Sequence, residues 1–165
     1  MAQPTQPTAV IGIGNTYRSD DGAGIFVSRM LKGAASPGVR ILEASGEGTD
    51  LMDAWQNVEF VILIDAVQSG SAPGTIHHFD ARESTLPSRF FHYSTHAFSV
   101  AEAVELARAL DRLPPRLVVY GIEGASFVAG EGLSPEVGQA AKEVARRVLA
   151  ELHLTTPLPQ ESKGT

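Results

Sequence analysis

The chain of 165 residues contains no cysteine. A sequence without cysteine cannot build a disulfide framework or a zinc ribbon, and it cannot use a thiol as a catalytic nucleophile. Basic residues are also few, because 13 lysines and arginines stand against 19 aspartates and glutamates and leave a net charge of −6. We therefore expect no basic surface and no nucleic-acid partner.

Long apolar runs are missing as well. No stretch reaches the roughly 18 consecutive apolar residues of a membrane span. The first ten residues, MAQPTQPTAV, lack the basic start and the apolar run of a signal peptide, so we expect a cytoplasmic protein without a membrane span. The hydrophobic fraction of 43% is typical of a globular chain. The length of the chain predicts a single α/β domain, over residues 9–154. Residues 1–8 and 155–165 are rich in proline, glutamine, threonine and serine, which predicts flexible tails.

Strand-like and helix-like segments alternate along this domain. Apolar or alternating runs typical of strands are AVIGI, GVRILEA, EFVILIDAV, PGTIHHF and RLVVYGI. Helical periodicity runs from about Gly22 to Lys32 and recurs in TDLMDAW, AFSVAEAVELARAL and SPEVGQAAKEVARRVLAEL. This order predicts an α/β fold with a largely parallel, doubly wound five-stranded sheet, in which PGTIHHF forms an edge strand.

The helical segments carry apolar stripes that should face this sheet. In the first helix the stripe consists of Ala23, Val27, Met30 and Leu31. In the last helix, Ser134 is the predicted N-cap and Pro135 the first helical residue, since proline is well tolerated there.

Two acidic stretches follow predicted strands. GIGNTYRSDDGAG follows the first strand and carries Asp20 and Asp21, and the third strand runs into Asp65 within VILIDAVQSG, which contains no lysine or arginine. In doubly wound sheets, sites form beyond the C-terminal strand ends where the strand order reverses. We expect that reversal between the first and third strands, so these aspartates should face one crevice. Glu123, which closes LVVYGIE, and His96, where the third long helix should begin, are further candidates.

Carboxylates and an imidazole in one crevice favour a metal site. Carboxylates alone suit magnesium or calcium, whereas an added imidazole moves the preference towards nickel, zinc, iron or manganese. Crowded carboxylates raise one another's pKa unless a cation neutralises them. The lack of a lysine or arginine beside Asp65 therefore favours a metal ion or a cationic substrate at this position.

Purely structural roles remain open for the same residues. Asp20 or Asp21 would then cap the first helix, and Asp65 would be a turn residue. His96 would be an ordinary residue at a helix start. Gly12 and Gly14 would do no more than permit a tight turn.

Motifs of several other enzyme classes are absent. In GIGNTY, Tyr17 stands where a dinucleotide-binding fingerprint needs glycine. GASFV ends in Val128 and is not a nucleophile elbow. Neither GxxxxGK[ST] nor HExxH occurs, so the phosphate loop of NTPases and the zinc-protease helix are excluded.

At the level of these motifs the chain resembles a known family. GIGNTYRSDDGAG, VILIDAV followed by APGT, STHAFS, VVYGIE and GLSPEV come in the order seen in the hydrogenase maturation endopeptidases. The resemblance covers about Ala9 to Leu152. Its GxGN-x4-D-[DE]-G-x-G element, strand-end aspartate and single histidine are specific in combination, whereas each alone would be weak.

The resemblance implies a three-layer α/β/α sandwich and a nickel-dependent endopeptidase. Its substrate would be the large-subunit precursor of a nickel–iron hydrogenase, from which it would remove the C-terminal extension after nickel insertion. Carried over by position, Asp21, Asp65 and His96 would be the catalytic residues and the metal ligands. The nickel would arrive with the substrate, and other divalent ions would substitute for it in crystals. The supporting residues would be Gly12, Gly14, Asn15, Asp20 and Glu123.

Two other functions remain open. A chaperone or binding module for the nickel-loaded large subunit would use the same three residues without cutting the chain. A nucleoside- or phosphate-handling enzyme would cradle phosphate in the GIGN loop, although Arg18 is the only basic residue near that loop. Within the protease hypothesis, Asp65 as a general base is a further alternative to metal ligation.

Overall fold

The computed structural model describes residues 7–45, 48–87, 90 and 99–155. Its elements are strand β1 (Thr8–Ile13), a 3-10 helix (Ser19–Gly22), helix α1 (Ala23–Leu31), strand β2 (Val39–Ala44), helix α2 (Gly48–Ala54), strand β3 (Phe60–Val67), strand β4 (Ile76–Asp80), helix α3 (Val100–Ala109), strand β5 (Arg116–Glu123) and helix α4 (Pro135–Thr155). None of the helices described is both long enough and apolar enough to cross a membrane.

The five strands form one sheet in the order β2-β1-β3-β5-β4. Strands β2, β1, β3 and β5 run parallel, and β4 pairs antiparallel with β5 at the edge. The strand order reverses between β1 and β3, because β2 lies on one side of β1 and the later strands lie on the other. The predicted doubly wound sheet, its antiparallel edge strand and its reversal point are thus confirmed.

Two apolar cores lie on opposite faces of this sheet. Strand β3 contributes to both, since Val61 and Leu63 belong to one core and Ile62 and Ile64 to the other. Helices α2 and α3 cover the first core, and helices α1 and α4 cover the second. Coverage on both faces explains why β3 is apolar almost throughout. The three-layer α/β/α sandwich is confirmed.

Helix α1 approaches the sheet at Gly24. A methyl group on Gly24 would lie 2.1 Å from the carbonyl oxygen of Ile64 and 2.5 Å from that of Ile13. Gly12 on β1 faces the same contact, because a side chain there would come within 2.3 Å of the Gly24 carbonyl oxygen. Only residues without a side chain allow this approach. The contact holds the N-terminus of α1 against β1 and β3.

The predicted stripe of α1 is wrong at one position. Met30 is 40% exposed, whereas the other three members of the stripe are buried. The small residues Gly24 and Ser28 are buried as well. They allow α1 to pack closely on β1 and turn the buried face of the helix away from Met30.

Helix α3 begins later than the segment predicted for it. Ser99 is its N-cap: the Ser99 hydroxyl accepts a hydrogen bond from the Glu102 backbone N–H, and the Glu102 carboxylate accepts one from the Ser99 N–H. This capping box makes Val100 the first helical residue. In α4 the prediction that Pro135 is the first helical residue is confirmed. The Ser134 carbonyl oxygen accepts from the Gly138 N–H at 2.8 Å, whereas the Ser134 hydroxyl donates to Asp20.

Strand β1 begins at Thr8 and helix α4 ends at Thr155, one residue outside the predicted domain at each end. Thr8 is buried within the strand. Pro7 is described as well, and its carbonyl oxygen accepts from the N–H groups of Glu59 and Phe60. The rest of the two predicted tails, residues 1–6 and 156–165, lies outside the described part of the chain.

The contact at Gly24 yields a matched pair of alanine substitutions. Gly24→Ala should lower the free energy of unfolding by about 1–3 kcal/mol, because its methyl group would overlap backbone atoms. Gly138→Ala in α4 should instead raise it by up to about 1 kcal/mol, since alanine favours helix and no neighbouring atom lies within 4 Å of the new methyl group. Urea unfolding of both variants measures the difference. Equal effects would contradict the close approach of α1 to the sheet.

Candidate active site

The candidate site lies at the C-terminal rim of β1 and β3. Pairing between these strands ends at Gly12 and Ile64, and Asp65 is the next residue of β3. Strand β3 continues to Val67, as in the predicted strand EFVILIDAV, and Asp65 lies opposite Gly121 of β5. Asp65 therefore lies one residue beyond the end of the pairing with β1, whereas on its other side it is still paired with β5.

The loop after β1 folds back onto Asp21. Gly14 has a φ of 144°, and a side chain there would lie 1.9 Å from the Asp21 carbonyl oxygen. The Asn15 N–H donates to that same oxygen at 3.3 Å, and the Asn15 side-chain oxygen accepts from the Tyr17 N–H at 2.9 Å. Glycine is required at position 14 by both its φ and its contact. The GIGN segment thus fixes the backbone of Asp21.

Asp21 and Asp65 are close enough to interact electrostatically. Burial raises the pKa of the half-buried Asp65 carboxyl well above its usual range, and the negative charge of Asp21 raises it further. A hydrogen bond from the Ala66 backbone N–H opposes this shift only in part. Because the ionised form of Asp65 is disfavoured here, a proton or a bound cation would stabilise the site.

The carboxylates of Asp21 and Asp65 can supply oxygen ligands to a divalent cation, and the electrostatics of Asp65 suit such a role. The third predicted ligand, His96, lies outside the described residues, as does the loop around it. Within the residues that are described, no group of three histidine, cysteine, aspartate or glutamate side chains could hold a metal ion. The assignment of Asp21, Asp65 and His96 as catalytic residues and metal ligands therefore stays a prediction.

Asp20 lies in a different environment from its neighbour Asp21. It is fully buried. One carboxylate oxygen accepts from the backbone N–H groups of Ala125 and Ser126 and from the Ser134 hydroxyl, at 2.8–2.9 Å. The other accepts from the Ser134 N–H at 2.7 Å. Asp20 thus ties the loop after β1 to the loop that leads from β5 into α4.

Burial by itself would raise the pKa of Asp20, but the four hydrogen bonds to its ionised form outweigh burial and hold the pKa below the usual value. The hypothesis that Asp20 or Asp21 caps the first helix is wrong. The N-cap of α1 is Gly22, and no side chain caps that helix. The sequence contains no pattern that would pair Asp20 with residues more than a hundred positions away.

Glu123, at the end of β5, is 1% exposed. Its carboxylate accepts from the backbone N–H of Ser69 at 2.7 Å, from that of Gly70 at 3.1 Å and from the Ser69 hydroxyl at 2.9 Å. His77 Nε2 lies 3.2 Å from the same group. Glu123 therefore holds the loop between β3 and β4. Sequence reasoning did not identify His77 as its partner, because the two residues meet only through the antiparallel pairing of β4 with β5.

A shallow cavity of about 300 Å³ borders the loop that carries Asp21; it is lined by Gly14, Asn15, Thr16, Tyr17, Ile25, Arg29, Glu43 and Ser45. A second cavity, of about 280 Å³, includes Trp55, Asn57 and Arg112 in its lining. These residues precede β3 and β5 in the chain, so this cavity lies at the opposite end of the sheet. The first cavity is therefore the one that adjoins the candidate site.

A model of the hydrogenase maturation protease family, HycI, matches residues 25–151 of this chain. The chain therefore belongs to the hydrogenase maturation protease family, which is a class of enzymes. The resemblance inferred from the motifs is confirmed. Asp65 falls inside the matched range, whereas Asp21 precedes it.

Individual relatives agree with this assignment. A Methanocaldococcus jannaschii protein named as a hydrogenase maturation protease is 30% identical over 151 residues, which cover 87% of this chain and 94% of that protein. The hydrogenase expression/formation protein HupD of Thiocapsa roseopersicina is 26% identical over 159 residues, 93% of this chain and 72% of that protein. The structure of the hydrogenase maturating endopeptidase HybD of Escherichia coli superposes on this chain with a TM-score of 0.76 and a sequence identity of 23%. The superposition covers 91% of this chain and 94% of HybD, so the two proteins share the fold.

The role of Asp20 predicts a loss of stability in Asp20→Asn. In either orientation of the new amide, its NH₂ group faces an N–H donor that bonds to the Asp20 carboxylate in the wild type. We therefore expect the free energy of unfolding to fall by about 1–3 kcal/mol at pH 7. The lowered pKa means that Asp20 stabilises the fold fully above the ordinary aspartate pKa of about 3.9. This stabilisation is lost as the pH falls through the lowered value.

Urea unfolding of wild type and Asp20→Asn at pH 7 and at acid pH measures this effect. The difference between their free energies of unfolding should be smaller at acid pH. The exposed residue Asp53 provides a control with the same change of charge, since Asp53→Asn should leave stability nearly unchanged. An equal effect of both substitutions would contradict the structural role of Asp20.

Asp65→Asn should behave in the opposite way. The raised pKa means that the ionised carboxylate costs stability at neutral pH, a cost that disappears as the pH falls and the group takes up a proton. Asparagine keeps the shape and removes the charge, so the variant should fold and should unfold at pH 7 at the wild-type temperature or above it. Calorimetry of the metal-free protein tests this. Failure to fold would assign Asp65 a turn or capping role instead.

Proposed function

We propose that this protein is an endopeptidase that removes the C-terminal extension of a nickel–iron hydrogenase large-subunit precursor after nickel insertion. Membership of the hydrogenase maturation protease family supports the reaction class and the kind of substrate. The observation that carries the finer proposal is the electrostatic contact between Asp21 and Asp65. A site in which burial and a neighbouring carboxylate disfavour the ionised form of Asp65 is suited to receive a cation.

In this proposal the cation is the nickel ion already held by the substrate. Asp21, Asp65 and His96 would contact it and so recognise only precursors that carry nickel. With two carboxylates and no cysteine, this set is a poor permanent cage for nickel, because thiolates are the ligands that strengthen retention of such ions. We therefore expect the free enzyme to purify largely without metal and to complete its site with the metal of the substrate.

The enzyme's own residues would then act by positioning. Hydrogen bonds of the GIGN loop fix the backbone of Asp21, and Asp65 belongs to a central strand. Both carboxylates therefore project from a rigid support, so contact with the substrate would hold the scissile peptide in one geometry. When bound, the metal supplies Lewis acidity. The reaction adds water across the scissile C–N bond and releases the C-terminal peptide.

Nickel should therefore gate cleavage from the side of the substrate. Purified protein incubated with the large-subunit precursor should release the C-terminal peptide from the nickel-loaded form, whereas the nickel-free form should stay intact. Mass spectrometry of the precursor over time measures the loss. Equal cleavage of both forms would refute gating by nickel.

Two variants sharpen this assay. Asp65→Asn should remain folded and lose cleavage of the loaded precursor, and Asp53→Asn, on an exposed position of α2, should cleave at the wild-type rate. If wild-type protein binds the loaded precursor without cutting either form, the protein acts as a binding module and the endopeptidase proposal fails.

A further inference from the structure

Two loops beside the candidate site are joined into one raised edge. Arg18 of the loop after β1 forms an isolated parallel bridge with Gly130 of the loop after β5. The Gly130 N–H donates to the Tyr17 carbonyl oxygen, and the Ser19 N–H donates to the Gly130 carbonyl oxygen, both at 2.9 Å. We call residues 17–19 together with residues 128–130 the ridge.

The ridge is held in one conformation from several directions. Ser19 has a φ of 54°, a left-handed conformation that costs roughly 1–2 kcal/mol for a residue with a side chain. Its hydroxyl donates to the Val128 carbonyl oxygen at 2.8 Å, which stabilises that conformation. Beneath the ridge, the carboxylate of Asp20 binds the N–H groups of Ala125 and Ser126. A partner would therefore meet a surface that loses little conformational entropy on binding.

Two large apolar side chains project from the ridge. Tyr17 is 68% exposed and Val128 is 69% exposed, more than any other large apolar residue in the described part of the chain. A single exposed apolar residue is ordinary on a protein surface. Here two of them lie on one pair of hydrogen-bonded loops beside the candidate site, where both side chains are available to a partner.

The ridge adjoins the predicted catalytic residues directly. The Asp21 N–H donates to the Arg18 carbonyl oxygen at 3.2 Å, so the ridge and Asp21 belong to one hydrogen-bonded loop. Tyr17 also lines the cavity of about 300 Å³ that borders this loop. The ridge is therefore within reach of a polypeptide that presents a peptide bond to Asp21.

We propose that the ridge is the docking surface for the precursor polypeptide, with Tyr17 and Val128 as its apolar anchors. This inference rests on the proposed function, because it takes the precursor as the occupant. Rigid aromatic and aliphatic side chains that become buried in a partner are the residues that dominate binding energy. The partner surface should accordingly be apolar where it meets the ridge, and nickel recognition should add to this contact rather than replace it.

The test compares Tyr17→Ser, Val128→Thr and the double variant with wild type. Leu110→Ser is the matched control, since Leu110 is 53% exposed at the C-terminal end of α3, at the opposite end of the sheet. Binding of the nickel-loaded precursor, measured by calorimetry, should weaken about tenfold or more in the double variant. Leu110→Ser should bind as wild type does, and all variants should keep the wild-type unfolding temperature.

Cleavage measured in parallel separates this inference from the proposed function. Weaker binding by the double variant supports the ridge as a docking surface, whether or not the wild-type protein cleaves the precursor. If the wild-type protein binds the precursor but does not cleave it, only the endopeptidase proposal is overturned. Normal binding by the double variant, with cleavage intact in wild type, overturns only the ridge. A change in sedimentation without a change in precursor binding would assign the ridge to contact between copies of this chain and overturn the proposal. Absence of any wild-type binding would overturn it as well.

Discussion

The arrangement of the site depends on one buried carboxylate. Asp20 accepts four hydrogen bonds from the segment between β5 and α4. These four bonds are the buried part of the attachment between the two loops, and the backbone bonds of the ridge at Gly130 lie above them. A buried charge is tolerated only when it is fully hydrogen-bonded, and here that requirement binds two distant loops into one unit.

Asp20 and Asp21 are adjacent in sequence but have different roles. Both carboxylate oxygens of Asp20 accept hydrogen bonds from backbone or hydroxyl donors, so its charge is stabilised by the protein itself. Asp21 lies instead near Asp65, whose ionised form is disfavoured by burial and by the charge of Asp21. The protein's own donors stabilise the charge of Asp20, whereas burial and the charge of Asp21 disfavour the ionised form of Asp65. This division fits a site that a substrate-borne cation completes.

The sheet explains how these residues come together. Close packing of Gly24 against Ile13 and Ile64 sets α1 at the point where the strand order reverses. The short 3-10 helix before α1 then carries Asp21 to the rim beside Asp65. Reversal points of doubly wound sheets are where two loops diverge and leave a crevice, which is why the candidate site is found here and not at the second cavity near Trp55.

Apolar periodicity and a few motifs are local properties, and they were enough to predict the class of fold, the edge strand, the reversal point and the family. The topology also placed Asp20, Asp21 and Asp65 at one crevice, and of these the charge of Asp21 does act on Asp65. The sequence could not predict that Asp20 binds Ser134 rather than capping α1, that Glu123 meets His77, or that Met30 is exposed. Each of these depends on which side chains the packing of distant segments brings within hydrogen-bond or contact distance, and no local pattern in the sequence records that packing.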